Sequence, residues 1–329
     1  MSTEYSLVVP VYNEEESLRT LYEEIDAVAQ KMDARIELIF VDDGSTDSSW
    51  SIIEKIVQED SRARGIRFRR NFGKAAALDV GFKTATLPIV MTLDADLQDD
   101  PAEIPEFLQL LDSGYDVVSG WKRRRHDPWH KVLPSRVFNW LVSSLTGVKL
   151  HDHNCGMKCY RREIFEEISL YGELHRFVPV LAAARGYKVG EKVVQHRARK
   201  YGKSKYGFNR FVKGFLDLLT VKFVTGYGQR PQHLLGTVGL TSFFIGAFTL
   251  CWLALRWILA RIPALGLAEY HLSGRPAVVY SAALMLLGAQ FLSIGIVAEL
   301  VVSYQNRKGR EYSIKKEIGK SARSQDEEK

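Results

Sequence analysis

The sequence predicts an α/β domain with a mainly parallel sheet, followed by two membrane-spanning helices. Over residues 1 to about 200, short β-rich runs alternate with helical patterns, as strand-helix-strand units require. Two later stretches, LLGTVGLTSFFIGAFTLCWLAL at 234–255 and AVVYSAALMLLGAQFLSIGIVA at 277–298, contain no charged residue. Each exceeds the roughly 20 apolar residues that cross a hydrocarbon core. The 329 residues are 46% hydrophobic, which supplies a substantial core and excludes a disordered chain.

The elements follow in order. SLVVPVY is a first buried strand, and Asn13 with Glu16 has the spacing of a capping box ahead of a helix carrying Leu18, Leu21, Tyr22, Ile25 and Val28 on one face. Further strands are expected in IELIFVDD, GIRFR, LPIVMTLD and YDVVSGW, with helices between them. The acidic groups VDDGSTD and LDADLQDD both fall at strand ends, where open α/β sheets bind ligands. No GxGxxG follows the first strand and no GxxxxGK[ST] occurs, which argues against dinucleotide oxidoreductases and P-loop NTPases. Residues 201–233 mix Phe208, Phe211, Phe215, Leu218 and Leu219 with Lys and Arg, and suit either an interfacial amphipathic surface or a solvated helix.

Lys and Arg total 45 against 39 Asp and Glu, a balance of +6 that suits phosphates or lipid headgroups but makes no case for nucleic acid. Basic residues crowd Lys200 to Arg230 and the tail NRKGREYSIKKEIGKSARS, while the loop between the apolar stretches is lightly charged. The positive-inside rule then places the α/β domain and both termini in the cytosol. Three cysteines make no closed disulfide framework and are expected as reduced thiols. The N-terminus MSTEYSLVVPVYNEEE is not expected to be a secretory signal, having no basic n-region.

The stretch TLDADLQDDP at 92–101 has two readings. Aspartates favour turns, and Pro101 suits the start of a helix. Alternatively, an extended backbone sends Asp94, Asp96 and Gln98 to one side, as an oxygen-ligand site for Mg²⁺ or Mn²⁺. His151 and His153 flank Asp152, but a zinc site is disfavoured because the acidic cluster offers no soft ligands.

VVPVYNEEE at 8–16, VDDGSTDSS at 41–49, NFGKAAAL at 71–78, TLDADLQDDP at 92–101 and RKYGKSKY at 199–206 together resemble the ordered signatures of family 2 glycosyltransferases. More narrowly they resemble the polyprenyl-phosphate group, which includes dolichyl-phosphate mannose synthases and bacterial bactoprenol glucosyl or aminoarabinosyl transferases. The resemblance implies a GT-A-type catalytic domain over 1–200, a basic amphipathic juxtamembrane segment over 201–233, a two-helix transmembrane domain over 234–304 and a basic cytosolic tail over 305–329.

By the same resemblance, Pro10, Tyr12, Glu14, Asp42, Asp94 and Lys122 match donor-binding positions, with Tyr12 packing the base and Asp42 accepting from its ring N–H. Asp96 and Gln98, with Asp94, match the ligands of Mg²⁺ or Mn²⁺. Arg136, Arg199 and Lys205 match contacts to the acceptor phosphate, and Asp152 with Asp94 lies near the reacting centre. The implied reaction is inverting transfer of one hexose, with glucose expected, from a UDP-sugar to undecaprenyl or another polyprenyl phosphate in the inner or plasma membrane. The alternatives are mannose from GDP-mannose, N-acetylglucosamine or aminoarabinose on the same lipid, or a non-catalytic membrane-bound subunit. The chain lacks the QxxRW motif of processive relatives, and the resemblance allows a homo-oligomer assembled through the membrane segments.

Overall fold

A computed structural model describes residues 4–123, 129–168, 174–197, 209–227, 230–263 and 268–306. Seven strands alternate with helices in the first part of the chain: β1 (Glu4–Val11), α1 (Leu18–Met32), β2 (Arg35–Asp42), α2 (Ser49–Glu59), β3 (Ala63–Arg67), α3 (Lys74–Thr84) and β4 (Ile89–Thr92). After a 3₁₀ turn at Pro101–Glu103 come α4 (Ile104–Asp112), β5 (Val117–Trp121), α5 (Trp129–Thr146), β6 (Lys158–Arg161), α6 (Ile164–Glu167), α7 (Val178–Ala184) and β7 (Val189–Val193). Three long helices follow: α8 (Asn209–Tyr227), α9 (Pro231–Leu259) and α10 (Pro276–Asn306).

The sheet order is β3-β2-β1-β4-β6-β5-β7. β1 pairs in parallel with β2, from Glu4 opposite Arg35 to Val11 opposite Asp42, and with β4, from Tyr5 opposite Ile89 to Val8 opposite Thr92. β6 runs antiparallel to both β4 and β5, and β7 rejoins β5 in parallel. The first three strands build outward on one side of β1, and β4 then returns to its other side. That reversal leaves a crevice beyond the carboxyl ends of β1 and β4.

β1 is central because both of its faces are apolar. Leu7, Val9 and Val11 meet Leu18, Leu21 and Ile25 of α1 and Phe107 and Leu111 of α4, whereas Val8 meets Ala77, Leu78 and Phe82 of α3. A near-continuous hydrophobic run is what a strand covered by helices on both sides needs. Each such side chain contributes about 1.5–3 kcal/mol on burial.

Two local expectations are corrected. Asn13 does not cap α1, which starts at Leu18 behind Ser17; its side chain instead accepts from the Thr46 N–H at 2.8 Å, with its own φ at 53°. Residues 94–98 are not extended either: β4 ends at Thr92, Leu97 adopts φ 59°, and the Asp96 carboxylate accepts from the Gln98 N–H at 3.2 Å. The local Asp–backbone bond wins over strand continuation, as Asx turns do.

The chain divides into two compact units, one running to Lys222 and one beginning at Phe223. Within the first, Leu218 and Val221 of α8 are buried with the α3 and α7 side of the core, while Phe215, Leu216 and Leu219 are exposed. Within the second, α9 and α10 are each long and apolar enough to cross a membrane. They approach closely at glycines: a Cβ on Gly239 would lie 2.7 Å from the Gly288 carbonyl oxygen, and one on Gly246 would lie 2.5 Å from that of Ser281. Phe244, Phe248, Val279 and Leu286 point outward, as lipid-facing positions would.

Candidate active site

The loops after β1 and β2 are stitched together. The Asn13 N–H donates to Ser45 Oγ and the Glu14 N–H to Ser49 Oγ, both at 2.9 Å, which seats half-buried Tyr12 and Glu14 at the end of β1 beyond Pro10. Asp42 is fully buried; its Oδ1 accepts from the Ser45 N–H at 3.1 Å and its Oδ2 lies 3.2 Å from Arg67 Nε. Asp43 accepts from the Phe72 N–H at 2.6 Å and the Gly73 N–H at 2.9 Å, which fixes the loop that opens α3. Burial pushes the Asp43 carboxyl up, against the pull of those two N–H groups. Gly44, at φ 71°, passes so close to Arg70 that a Cβ would come within 2.4 Å of its carbonyl carbon. Only glycine serves there.

From the first residue of α3, Lys74 Nζ reaches Asp94 Oδ1 at 2.5 Å. Burial raises the Asp94 carboxyl, but Lys74, with Lys122 and Lys158 farther off, outweighs it and holds the group below its ordinary value. Gly156 lies against the same carboxylate, where a Cβ would fall 2.4 Å from Asp94 Oδ2. Asp99 is buried and ion-paired with Lys122 at 2.6 Å. Burial pushes Asp99 up against the pull of Lys122; burial also works against the Lys122 ammonium, yet Asp99 holds that amine above its usual value. Lys122, expected at the donor, is therefore tied to the acidic loop.

Buried Asp96 and half-buried Gln98 supply hard oxygen donors, with Asp94 beside them. Among the described residues no three His, Cys, Asp or Glu side chains form a metal cage. A set of one or two carboxylates and an amide oxygen fits Mg²⁺ or Mn²⁺ when substrate phosphates complete the shell.

On the other side of the crevice, Asp152 is buried and its Oδ1 accepts from the Asn154 N–H at 3.0 Å. Glu191 of β7 holds the loop: its Oε1 accepts from the His151 N–H at 2.7 Å and the Asp152 N–H at 3.1 Å, and its Oε2 lies 2.7 Å from His151 Nδ1. The His151 ring stacks on Trp121, with centroids 3.9 Å apart. His153 is fully buried, with Nε2 3.1 Å from Ser143 Oγ, and burial with Lys158 nearby pulls its pKa down to about 3. His153 and His151 thus face different neighbours. Exposed Arg136 lines an open cleft of about 650 Å³ with Trp121, Arg123, Trp140 and Lys149, a basic and aromatic wall.

Arg199 and Lys205 lie outside the described residues. The chain leading to them is docked on the acidic loop: the Arg197 N–H donates to the Gln98 carbonyl at 2.9 Å, and its guanidinium pairs with Glu24 at 2.7 Å and Asp100 at 2.8 Å. Sequence reasoning assigned no role to Lys74, Lys158, Glu191 or Arg197. Lys158 carried a signal, a lone cation within the apolar run GMKCY, and Lys74 sat inside a quoted motif. Glu191 carried none, since only tertiary pairing brings β7 beside Asp152.

A model of glycosyl transferase family 2 matches residues 6–169. The dodecaprenyl-phosphate galacturonate synthase of Rhizobium johnstonii is 38% identical over 91% of this chain and 88% of its own length. The undecaprenyl-phosphate 4-deoxy-4-formamido-L-arabinose transferase of Proteus mirabilis is 34% identical over 95% of this chain and 94% of its own. Among solved structures, glucosyl-3-phosphoglycerate synthase from Mycobacterium tuberculosis, in complex with Mn²⁺, UDP and phosphoglyceric acid, aligns with a TM-score of 0.53 over 68% of this chain and 78% of that one. At 17% identity that likeness is one of fold, of the GT-A type. The stitched strand-end loops and the identity held across nearly the whole chain carry the same conclusion: the chain belongs to glycosyltransferase family 2 and is a relative of the polyprenyl-phosphate sugar transferases.

Proposed function

We propose that the protein transfers one uronic sugar, of the galacturonate type, from a UDP-sugar to a polyprenyl phosphate, releasing UDP with inversion at the sugar carbon. Glucose, expected from the sequence, gives way here because the similar enzymes named above carry galacturonate or a formamido-arabinose. Between those two, the cations around Asp94 favour the sugar that bears a carboxylate. The observation that carries the reaction is the meeting, at one sheet reversal, of the Tyr12 and Asp42 loops, the Asp94–Gln98 loop and the segment leading to Arg199.

In this reading Tyr12, Glu14 and Asp42 hold the nucleoside, with the Asp42–Arg67 pair setting the carboxylate's direction. Asp96 and Gln98 would hold Mg²⁺ or Mn²⁺, which offsets charge on the departing diphosphate when bound. Asp94, kept ionised by Lys74, orients the sugar. The acceptor is a phosphate monoester, largely anionic near neutral pH, so it needs little help from a base, and Asp152 orients more than it deprotonates. Arg136, Arg199 and Lys205 would receive the acceptor phosphate, Arg in bidentate fashion and Lys as a point charge. The helices α9 and α10 would cross the membrane and keep both termini in the cytosol.

The test is transfer from labelled UDP- and GDP-sugars to polyprenyl phosphate by the detergent-purified protein, with Asp96→Ala alongside. Lipid-linked label from a UDP-uronate, lost on chelation, is expected; transfer only of a neutral sugar would reject the uronate, and no transfer would reject the reaction.

A further inference from the structure

We propose that a small cavity beside Asp94, walled by Lys74, Lys158 and Arg176, receives the carboxylate of the donor's sugar and makes Lys158 a specificity-determining residue. This rests on the proposed transfer of a uronic sugar and names the group that would read it.

Lys158 is the exception in its strand. Its neighbours Met157, Cys159 and Tyr160 are buried apolar residues, and Lys158 is itself 4% exposed. Its ammonium donates to the His153 carbonyl at 2.9 Å, and among the described residues no carboxylate lies within ion-pairing distance of it. A buried ammonium without a paired anion is destabilising, a cost that a methionine or leucine at the same place would avoid. Such a group suits an anion that arrives with the substrate.

The register says where the ammonium points. Lys158 stands opposite Thr92 across the β4–β6 pair, so both project to the face covered by α3. There the cavity is lined by Lys74, Thr92, Asn154, Gly156, Lys158 and Arg176, among others. Arg176 is also buried. Lys74 pairs with the Asp94 carboxylate and a Cβ on Gly156 would press on it, so the cavity begins where the sugar would be held.

Size narrows the ligand. The cavity measures about 30 Å³, against the roughly 10–15 Å³ that one water needs by the same measure. It admits a group of two or three heavy atoms, the size of a carboxylate, and excludes a sugar ring. A phosphate oxygen from the acceptor has the same charge chemistry, so the assay must separate the two sources.

UDP-galacturonate and UDP-galactose differ only at C6, and kcat/KM for each, with one polyprenyl phosphate, gives the preference directly. The wild-type protein should favour the uronate by roughly 10²-fold or more, since a site built for a polar group rejects the analogue lacking it. Lys158→Met should lower that ratio at least tenfold while leaving the acceptor KM and UDP inhibition unchanged; Lys158→Arg should keep the preference. An unchanged ratio in a folded Lys158→Met protein overturns the inference. So does a rise in acceptor KM alone, which would assign the cavity to the lipid phosphate. If Lys158→Met does not fold, calorimetry on the wild type decides, because equal affinity for the two donors rejects the site. Transfer of neutral sugars with no uronate preference overturns the inference and leaves lipid glycosylation standing; no transfer removes both.

Discussion

Glu191 holds Asp152 by the backbone: its carboxylate accepts the Asp152 N–H at 3.1 Å while also gripping both the N–H and the ring of His151. Three bonds from one side chain, together with the Asn139 amide donating to the His151 carbonyl at 2.9 Å, fix the loop. Glu191→Ala should lower kcat by roughly 10²-fold, the order expected when a reacting group is misplaced by about 1 Å. UDP affinity by calorimetry should stay constant, because Glu191 lies away from the β1 and β2 loops.

Gly156→Ala should be nearly inactive yet folded. Its Cβ would press on Asp94 Oδ2 and break the Lys74–Asp94 alignment. A loss of about 10²-fold or more in lipid-linked sugar is expected for displacement of such a group. Circular dichroism and the melting temperature distinguish this from unfolding.

Asp96→Ala, or removal of divalent cations by chelation, should reduce transfer by about 10²–10³-fold, as loss of one stabiliser of developing charge does. Titration with Mn²⁺ should restore the wild type and not the variant.

Burial pulls the Lys158 amine down from 10.5 to about 8, with Lys74 pushing the same way and Cys155, Asp152 and Asp94 opposing. His153, Tyr160, His175 and Arg176 are further titratable or charged groups around it among the described residues. Below pH 8 both folded and unfolded chains carry the proton and the burial cost is complete. Between pH 8 and 10.5 only the unfolded chain holds it, so this site's contribution to stability rises with pH. Lys158→Met should therefore be more stable than wild type at pH 7, with the gap narrowing by pH 9.5 in thermal melts. Any preference for a charged donor should fade over the same rise.

His153 works at the opposite end. Burial, then Lys158, depresses it to about 3, so as pH falls from 6.5 the unfolded chain takes up a proton the folded one refuses. Stability should drop across that range, and His153→Gln should flatten the drop in urea midpoints.

The sequence made the β1–β4 side of the sheet legible because its signals are local. Leu7 to Val11 reads as a strand covered on both faces, and the carboxylates of Asp42, Asp94 and Asp96 sit at strand ends where the sheet reversal brings them together. The later strands β6 and β7 were not legible. Lys158–Arg161 is four residues long and runs against the parallel pattern, and Val189–Val193 alternates too weakly to stand out. Asn13 misled because a capping-box spacing and a loop-bridging amide look alike until Thr46 is in place. Local bonds likewise overruled the alternation of Asp94, Asp96 and Gln98.

The backbone bond from the Arg197 N–H to the Gln98 carbonyl, within an antiparallel bridge of Asp99 with His196, bears on how two ligands would act on each other. Whatever seats Gln98 also seats Arg197, so under the proposed roles of Gln98 and Arg199 occupancy at the acidic loop and capture of the lipid would share one free energy. Such sharing is reciprocal: if UDP and a divalent ion tighten polyprenyl phosphate by some factor, the lipid must tighten them by the same factor.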